Sequence, residues 1–396
     1  MSAKRNTNVL VMQSGGPTPV LNRSLVGVVR EALAHPEFGK LYGAIHGLEG
    51  LLAGRVMDLR KQDSATLAGV ARTPGAALGS TRRKLRPQDV SAILEKLSNL
   101  GVGYLFMIGG NDSAETGQGI GKEAKSAALD LSVIHVPKTI DNDLLGTDHC
   151  PGYGSAARFV ALATMGAGRD AEAMGQASPI VVIEVMGRDA GWLAAASALG
   201  KRDERDAPHV LGLPEVAIDE EKFVALMEET YEKHGFAVAV AAENARGVSG
   251  VLGGQSQPGR VDEFGHPYFE GAGGYLARLL ERQLNVRVRY ERPGTIQRSM
   301  AACVSRTDAA EAEMAGRTAV RYALDGRTGV MVSLVRESER PYHCIAGMVP
   351  LERVASQVKR MPDDYLDRGR YFVRSAFARY ARPLVGPLPR FGRLKG

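Results

Sequence analysis

The chain has 396 residues, 44% of them hydrophobic and 24% charged, with a net charge of +6. That is enough chain for two globular domains with separate cores, and the absence of any run of about 18 apolar residues excludes a membrane-spanning helix. The start, MSAKRNTNVLVMQSGG, enters a strand-like segment without the apolar core and cleavage site of a signal peptide, so a soluble, cytoplasmic protein is expected.

Apolar runs rich in β-branched residues alternate along the chain with stretches of helical periodicity, the pattern of βαβ units and a parallel sheet. In chain order, the predicted strands are NVLVMQSGG, KLYGAIHG, GYLFMIGG, LSVIHVPK, PIVVIEVMG and FAVAVAAEN, and helices are predicted at NRSLVGVVREALAH, SAILEKLSNLG and GGYLARLLERQLN. The glycine-rich stretch Gly247 to Arg260 reads as a long surface loop. Cys150, Cys303 and Cys344 are scattered and odd in number, against a disulfide framework or a structural zinc, and are expected to be buried small residues. The arginine- and proline-rich end, RYFVRSAFARYARPLVGPLPRFGRLKG, is expected to be a solvated, loosely docked extension. It lacks the interleaved aromatics of a nucleic-acid arm, so small-molecule phosphates suit the positive charge better.

The chemistry gathers where the predicted strands end, the place where open α/β sheets bind ligands. After the first strand, Gly15 and Gly16 offer backbone amides to a phosphate, ahead of a helix whose positive end adds attraction. MIGGNDSAETG follows the third, with Asn111 and Asp112 able to face a metal or a phosphate, or Asp112 or Ser113 serving only as a helix cap. PKTIDNDLLGTDHCPGYGS puts Lys138 beside Asp141 and Asp143, a crowding of carboxylates that repels unless a cation sits among them. EVMGRDAG places Arg188 next to a glycine, suited to a forked contact with phosphate. AAEN ends a further strand with Glu243.

The segments GG…N, GGND, PKTIDND, EVMGR, the Glu243 strand end and PGTIQR, in this order and spacing over almost the whole chain, resemble the phosphofructokinase family. Lys138 in PKTIDND and Asp112 in GGND resemble its pyrophosphate-dependent branch, since ATP-dependent members usually carry glycine at both places. The resemblance implies two stacked three-layer α/β domains with mainly parallel sheets and an active site in the interdomain cleft. It assigns pyrophosphate to residues 1–152 plus about 297–350, and fructose 6-phosphate to 153–296 plus part of the C-terminal region. The implied reaction is reversible phosphoryl transfer from pyrophosphate to the 1-hydroxyl of fructose 6-phosphate.

By the same resemblance Asp141 is the general base, Lys138 stabilises the phosphoryl group in flight, and Asp112 blocks the space of a nucleotide α-phosphate. Pyrophosphate is expected at Gly15, Gly16, Arg82 and Lys138. Fructose 6-phosphate is expected at Thr139, Ile140, Asp141, Met186, Gly187, Arg188, Glu243, Arg289, Thr295 and Arg298, and Mg2+ at Asn111 and Asp143. The sequence departs from the family pattern at three places: Asn111 replaces a metal-binding aspartate, Pro179 replaces an arginine that reaches a neighbouring subunit in short bacterial members, and Thr295 replaces a histidine. A homodimer or homotetramer is expected, without nucleic-acid or membrane partners. An ATP-dependent kinase and a non-catalytic sugar-phosphate-binding subunit are the alternatives left by the sequence.

Overall fold

The computed structural model describes residues 7–252, 260–261, 267–268, 271–355 and 357–394. The first stretch runs β1 (Thr7–Gln13), α1 (Leu21–Leu33), β2 (Phe38–Ala44), α2 (Gly47–Leu52), β3 (Val56–Asp58), α3 (Ser64–Arg72), α4 (Pro87–Asn99), β4 (Val102–Gly109), α5 (Asn111–Ser126) and β5 (Ser132–Pro137). β4 and β5 are buried along their whole length, as expected of central parallel strands covered on both faces. Local chemistry marks the helix starts: Asp63 caps α3 through its side chain, and Pro87 opens α4, where the missing N–H costs nothing.

A second run holds α6 (Tyr153–Met174), β6 (Ile180–Val185), α7 (Trp192–Ala196), β7 (Val210–Gly212), α8 (Glu220–His234), β8 (Ala237–Ala242), the hairpin β9 (Arg246–Gly247) and β10 (Gly250–Val251), the pair β11 (Arg260–Val261) and β12 (Pro267–Tyr268), α9 (Ala272–Leu284) and β13 (Val288–Glu291). The chain then gives α10 (Arg306–Leu324), β14 (Val330–Glu339), β15 (Tyr342–Pro350), a short ladder of β16 (Leu366–Asp367) and β17 (Phe372–Val373), and α11 (Ser375–Val385). The described residues form two compact units, both discontinuous in sequence: 7–153 with 298–359, and 154–252 with 260–261, 267–268, 271–297 and 360–394.

The first unit is built on a seven-stranded sheet in the order β15-β14-β5-β4-β1-β2-β3. Its centre is parallel, with the β2–β3 and β14–β15 pairs antiparallel at the edges. One face carries α1 and α10, which touch backbone to backbone: a Cβ on Gly27 would lie 2.4 Å from the Glu313 carbonyl oxygen, and one on Gly316 2.1 Å from that of Ser24. Leu25, Val28, Ala315 and Ala319 fill the core beneath them, and Ile93, Leu97 and Ile120 cover the other face. The second unit has a wholly parallel sheet in the order β13-β6-β8-β7.

All six predicted strands and all three predicted helices are present. The C-terminal segment is not loosely docked. α11 buries Phe377, Tyr380, Ala381, Leu384 and Val385, and Tyr380 lies 5.3 Å from the Trp192 ring. Beyond it, Arg158 donates to the Pro387 carbonyl at 2.6 Å and Arg393 pairs with Glu172, Asp203 and Asp206. The composition hid this because apolar residues at helical spacing lie between the arginines. The expected Gly247–Arg260 loop begins instead with the β9–β10 turn, and residues 253–259 of it lie outside the described residues. Cys150 is buried, whereas Cys303 and Cys344 are half-buried. No helix among the described residues is long and apolar enough to cross a membrane.

Candidate active site

The register of the first sheet decides which residues leave it together. Gln13 of β1 is level with Ile108 of β4, and Gly109 with Pro137 of β5. Ser14–Gly16, Gly110–Asp112 and Lys138–Asp143 therefore emerge side by side at the carboxyl edge. Lys138 is only 4% exposed, and its amine donates to the Gly16 carbonyl at 2.8 Å. Arg298 returns to the same spot: its Nη1 lies 2.1 Å, and its Cζ 3.0 Å, from where a Cβ on Gly16 would be. A buried ammonium and a guanidinium thus flank the glycine turn, the charge arrangement that a phosphoryl group requires.

The turn differs from the expectation of free amides ahead of a helix. Gly15 takes a left-handed backbone (φ 79°), and its N–H is committed to the Thr81 carbonyl at 2.9 Å. The Ser80 hydroxyl donates to the Gly15 carbonyl at 2.5 Å. These bonds hold the 80–82 segment, and so Arg82, against the turn. α1 starts only at Leu21, itself buried, so its positive end does not open on Gly16. Asp112 occupies the first turn of α5, whose cap residue is Gly110 without a side-chain bond, so neither Asp112 nor Ser113 is the cap. The helix end still favours the half-buried Asp112 carboxylate.

The segment after β5 is an internally braced loop. The Asp141 N–H donates to Thr139 Oγ1 at 3.0 Å, and Ile140 is buried. Asn142 is left-handed (φ 56°), and its side-chain oxygen accepts the Cys150 N–H at 3.0 Å. Lys359 donates its amine to the Asp148 carbonyl at 2.7 Å and its backbone N–H to the Asp143 carbonyl at 2.8 Å. The sequence reading missed Lys359, which lies far along the chain in no motif, and missed Asn142 as a shape-setting residue, although asparagine at a turn was a usable signal.

Asn111 and Asp143, the residues expected at a metal, are neighbours. Asn111 Nδ2 donates to Asp143 Oδ2 at 3.1 Å, Asp143 is buried, and Asn111 Oδ1 is buried with no hydrogen-bond partner. A carboxylate beside an unsatisfied amide oxygen fits a hard divalent cation, which takes oxygen ligands.

In the second unit, Val185 of β6 is level with Ala242 of β8, so Met186–Arg188 and Glu243 leave the sheet as neighbours. The Met186 N–H donates to Gln297 Oε1 at 3.2 Å, which ties this end to the segment bearing the exposed Thr295. Gly187 (φ 140°) turns the chain so tightly that a Cβ would meet the Ala190 carbonyl at 2.7 Å. Arg188 is exposed, left-handed (φ 49°), and donates its N–H to Glu243 Oε1 at 3.3 Å. Burial raises the Glu243 carboxyl above its ordinary value of 4.5, the Arg188 N–H opposing the shift. Arg289 does not join this group. It pairs with Val181, four positions before β6 ends, and its guanidinium bonds to Asp170. Its place is set by the register of the edge strand β13 on β6, about which its spacing from PGTIQR says nothing.

Comparison with known proteins finds relatives along almost the whole chain. Residues 8–323 match the family model described as phosphofructokinase. The chain is 39% identical over 385 residues to a pyrophosphate–fructose 6-phosphate 1-phosphotransferase of Rhodospirillum rubrum, covering 96% of this chain and 94% of that one. It is 38% identical over 386 residues to the protein of that name in Xanthomonas campestris, covering 96% and 92%. A crystal structure of a pyrophosphate-dependent phosphofructokinase from Nitrosospira multiformis superposes with a TM-score of 0.88 at 31% identity, covering 100% of this chain and 95% of that one.

Proposed function

The chain belongs to the phosphofructokinase family, and on that premise we propose that it transfers a phosphoryl group reversibly from pyrophosphate to the 1-hydroxyl of fructose 6-phosphate, giving fructose 1,6-bisphosphate and phosphate. The observation that carries the donor assignment is the buried Lys138 amine on the Gly16 carbonyl, beside the Arg298 guanidinium. Two fixed cations there can compensate the charge of a donor that brings no nucleoside.

In this reading Asp141 accepts the proton of the 1-hydroxyl as its oxygen attacks. Lys138 receives the charge that develops on the transferring group and on the leaving phosphate, and Arg298, expected from the sequence at fructose 6-phosphate, is reassigned to the same group because its guanidinium lies against Gly16 beside Lys138. Arg82, held next to the glycine turn, adds to the pyrophosphate contacts. Asp112 fills and charges the space that a nucleotide would need. Asn111 and Asp143 would hold the divalent cation, taken as Mg2+, which when bound supplies charge neutralisation on the phosphate oxygens. The first unit is assigned to pyrophosphate and Asp141. In the second unit, Met186, Gly187, Arg188, Glu243 and Thr295 are assigned to fructose 6-phosphate, and in the first, Thr139 and Ile140 of the braced loop keep the assignment expected of them. A cytoplasmic homo-oligomer without nucleic-acid or membrane partners belongs to the same proposal.

The test is a donor comparison on the purified chain with fructose 6-phosphate and Mg2+. Turnover with pyrophosphate at least about 100-fold above that with ATP is expected, this being the range over which one strongly repelled group discriminates. Equal or greater turnover with ATP would overturn the donor assignment. No turnover with either would overturn the enzyme assignment.

A further inference from the structure

Behind the Asp141 loop lies a buried charged cluster that the proposed mechanism does not use. The His149 side chain is 2% exposed and stands between two carboxylates, with Nδ1 2.7 Å from Asp148 Oδ1 and Nε2 2.6 Å from Glu311 Oε2. Each carboxylate is held by a further donor. Arg336 on β14 contacts Asp148 Oδ1 at 3.0 Å, and the Tyr342 hydroxyl on β15 donates to Glu311 Oε1 at 2.6 Å. Among the described residues, the other titratable groups facing the cluster are Cys344 on β15 and Lys359, whose amine bonds to the Asp148 carbonyl.

With both carboxyls ionised, two ring nitrogens each facing a carboxylate oxygen at hydrogen-bond distance require two N–H donors, which only the protonated ring has. The His149 backbone belongs to the return limb of the loop that carries Asp141 on its outgoing limb. The limbs are joined by the Cys150 N–H to Asn142 Oδ1 bond and by the Thr139 N–H to Pro151 carbonyl bond at 3.2 Å. The return limb is fixed to β14 through Thr147 Oγ1, which accepts the Leu334 N–H at 2.8 Å.

We propose that His149, as an imidazolium bridging Asp148 and Glu311, is a positioning residue for the proposed phosphoryl transfer: it locks the return limb to α10 and thereby fixes the reach of Asp141. Loss of the ring proton leaves the half-buried Asp148 and the buried Glu311 carboxylates with one donor fewer between them, and the limb loosens. The pKa agrees in direction: burial alone would push the ring down, but the hydrogen bonds and charges of Asp148 and Glu311 outweigh it and hold it above the usual 6.5. For a group whose folded pKa is raised, the contribution is complete below the unfolded value and is lost as pH rises through the folded one. The effect on turnover therefore falls on the alkaline side.

The inference rests on the proposed phosphotransferase reading, and the experiment separates the two. The full chain is assayed at saturating pyrophosphate and fructose 6-phosphate across the pH range, as wild type, His149→Gln and Glu311→Gln, with thermal melts alongside. Absence of turnover in the wild type defeats the reaction, not the brace. Given turnover, His149→Gln should lower kcat by about 10- to 100-fold, the scale of a small displacement of a catalytic group, with both KM values within about 3-fold and an alkaline fall in kcat lost relative to wild type. Glu311→Gln should move that fall to lower pH. A lower melting temperature with unchanged kcat and pH profile would reduce His149 to a structural role and overturn the proposal. If His149→Gln does not fold, nitrogen-15 NMR of the histidine rings in the wild-type chain decides instead, and a neutral His149 ring at pH 7 would overturn it. Zinc that survives dialysis and whose removal collapses the fold would also overturn it, because His149, Glu311 and Cys344 would then share a metal in place of the proton.

Discussion

A Cβ placed on Gly16 would lie 2.1 Å from Arg298 Nη1, far inside contact distance, so Gly16→Ala must expel the guanidinium from its seat. The clash is with the far end of a flexible side chain, and Gly16 has no left-handed φ, so the backbone bears no strain. A charge-assisted contact is worth about 1.5–3 kcal/mol, and each 1.4 kcal/mol is about tenfold. Gly16→Ala should therefore lower kcat/KM for pyrophosphate by about 10- to 100-fold while the melting temperature stays within a few degrees. Gly15→Ala is the contrast. Its φ of 79° is a left-handed conformation that costs a non-glycine residue about 1–2 kcal/mol, so this variant should lose stability as well as activity. The assay is steady-state kinetics with each substrate varied in turn, with a melt of every variant. Gly16→Ala with kcat/KM within about 3-fold of wild type would refute the seating of Arg298 as a functional contact.

Asp141→Asn keeps the loop's shape but removes the proton acceptor, so kcat should fall about 10²–10⁴-fold with modest changes in KM; turnover within a few-fold of wild type removes Asp141 from the mechanism. Asp112→Gly should admit ATP weakly, Lys138→Gly should impair pyrophosphate use without admitting ATP, and only the double variant should shift the kcat/KM ratio measurably towards ATP. Because α5 is capped at Gly110, any ATP use by Asp112→Gly cannot be ascribed to a lost cap. Arg188→Ala should raise the KM for fructose 6-phosphate and leave that for pyrophosphate near its starting value; the opposite pattern would reassign this arginine. Arg393→Ala breaks contacts to Glu172, Asp203 and Asp206 at a side chain 22% exposed. It should cost about 1 kcal/mol, seen as a melting temperature lower by a few degrees with kinetics intact; an unchanged melt would mean that the Arg393 contacts contribute nothing to stability.

The strands were legible because β4, β5, β6 and β8 are buried along their whole length and must read as continuous apolar runs. The grouping of Gly15, Asp112 and Lys138 was legible for a related reason: parallel strands that start and stop together deliver their following loops to one edge. Arg289 shows the limit of this reasoning. Its contribution depends on the register of an edge strand, which no short motif specifies. Lys359 and the partners of His149 were invisible because Glu311, Arg336 and Tyr342 lie on elements far along the chain, and buried ion pairs leave no periodic trace. The terminal arginines show the converse, in that composition suggested solvent where the spacing of Phe377, Tyr380 and Leu384 put an apolar face on α11.

The crossing of α1 and α10 has a consequence for how the protein is made. Gly27 and Gly316 stand nearly three hundred positions apart, yet each is the seat of the other helix's backbone. When α1 leaves the ribosome, the helix that covers Leu25 and Val28 has yet to be translated, and at roughly 5–20 residues per second it follows only after about 15–60 seconds. The second unit fares no better, since it waits for Trp192's partner Tyr380 in α11. Neither unit can close its core until synthesis is nearly over, so nascent chains stalled before Arg306 should be degraded quickly by a protease at every strand, and protection should arrive late and in both units within a short span of chain. Early, stepwise protection of the first unit would show that it folds without α10.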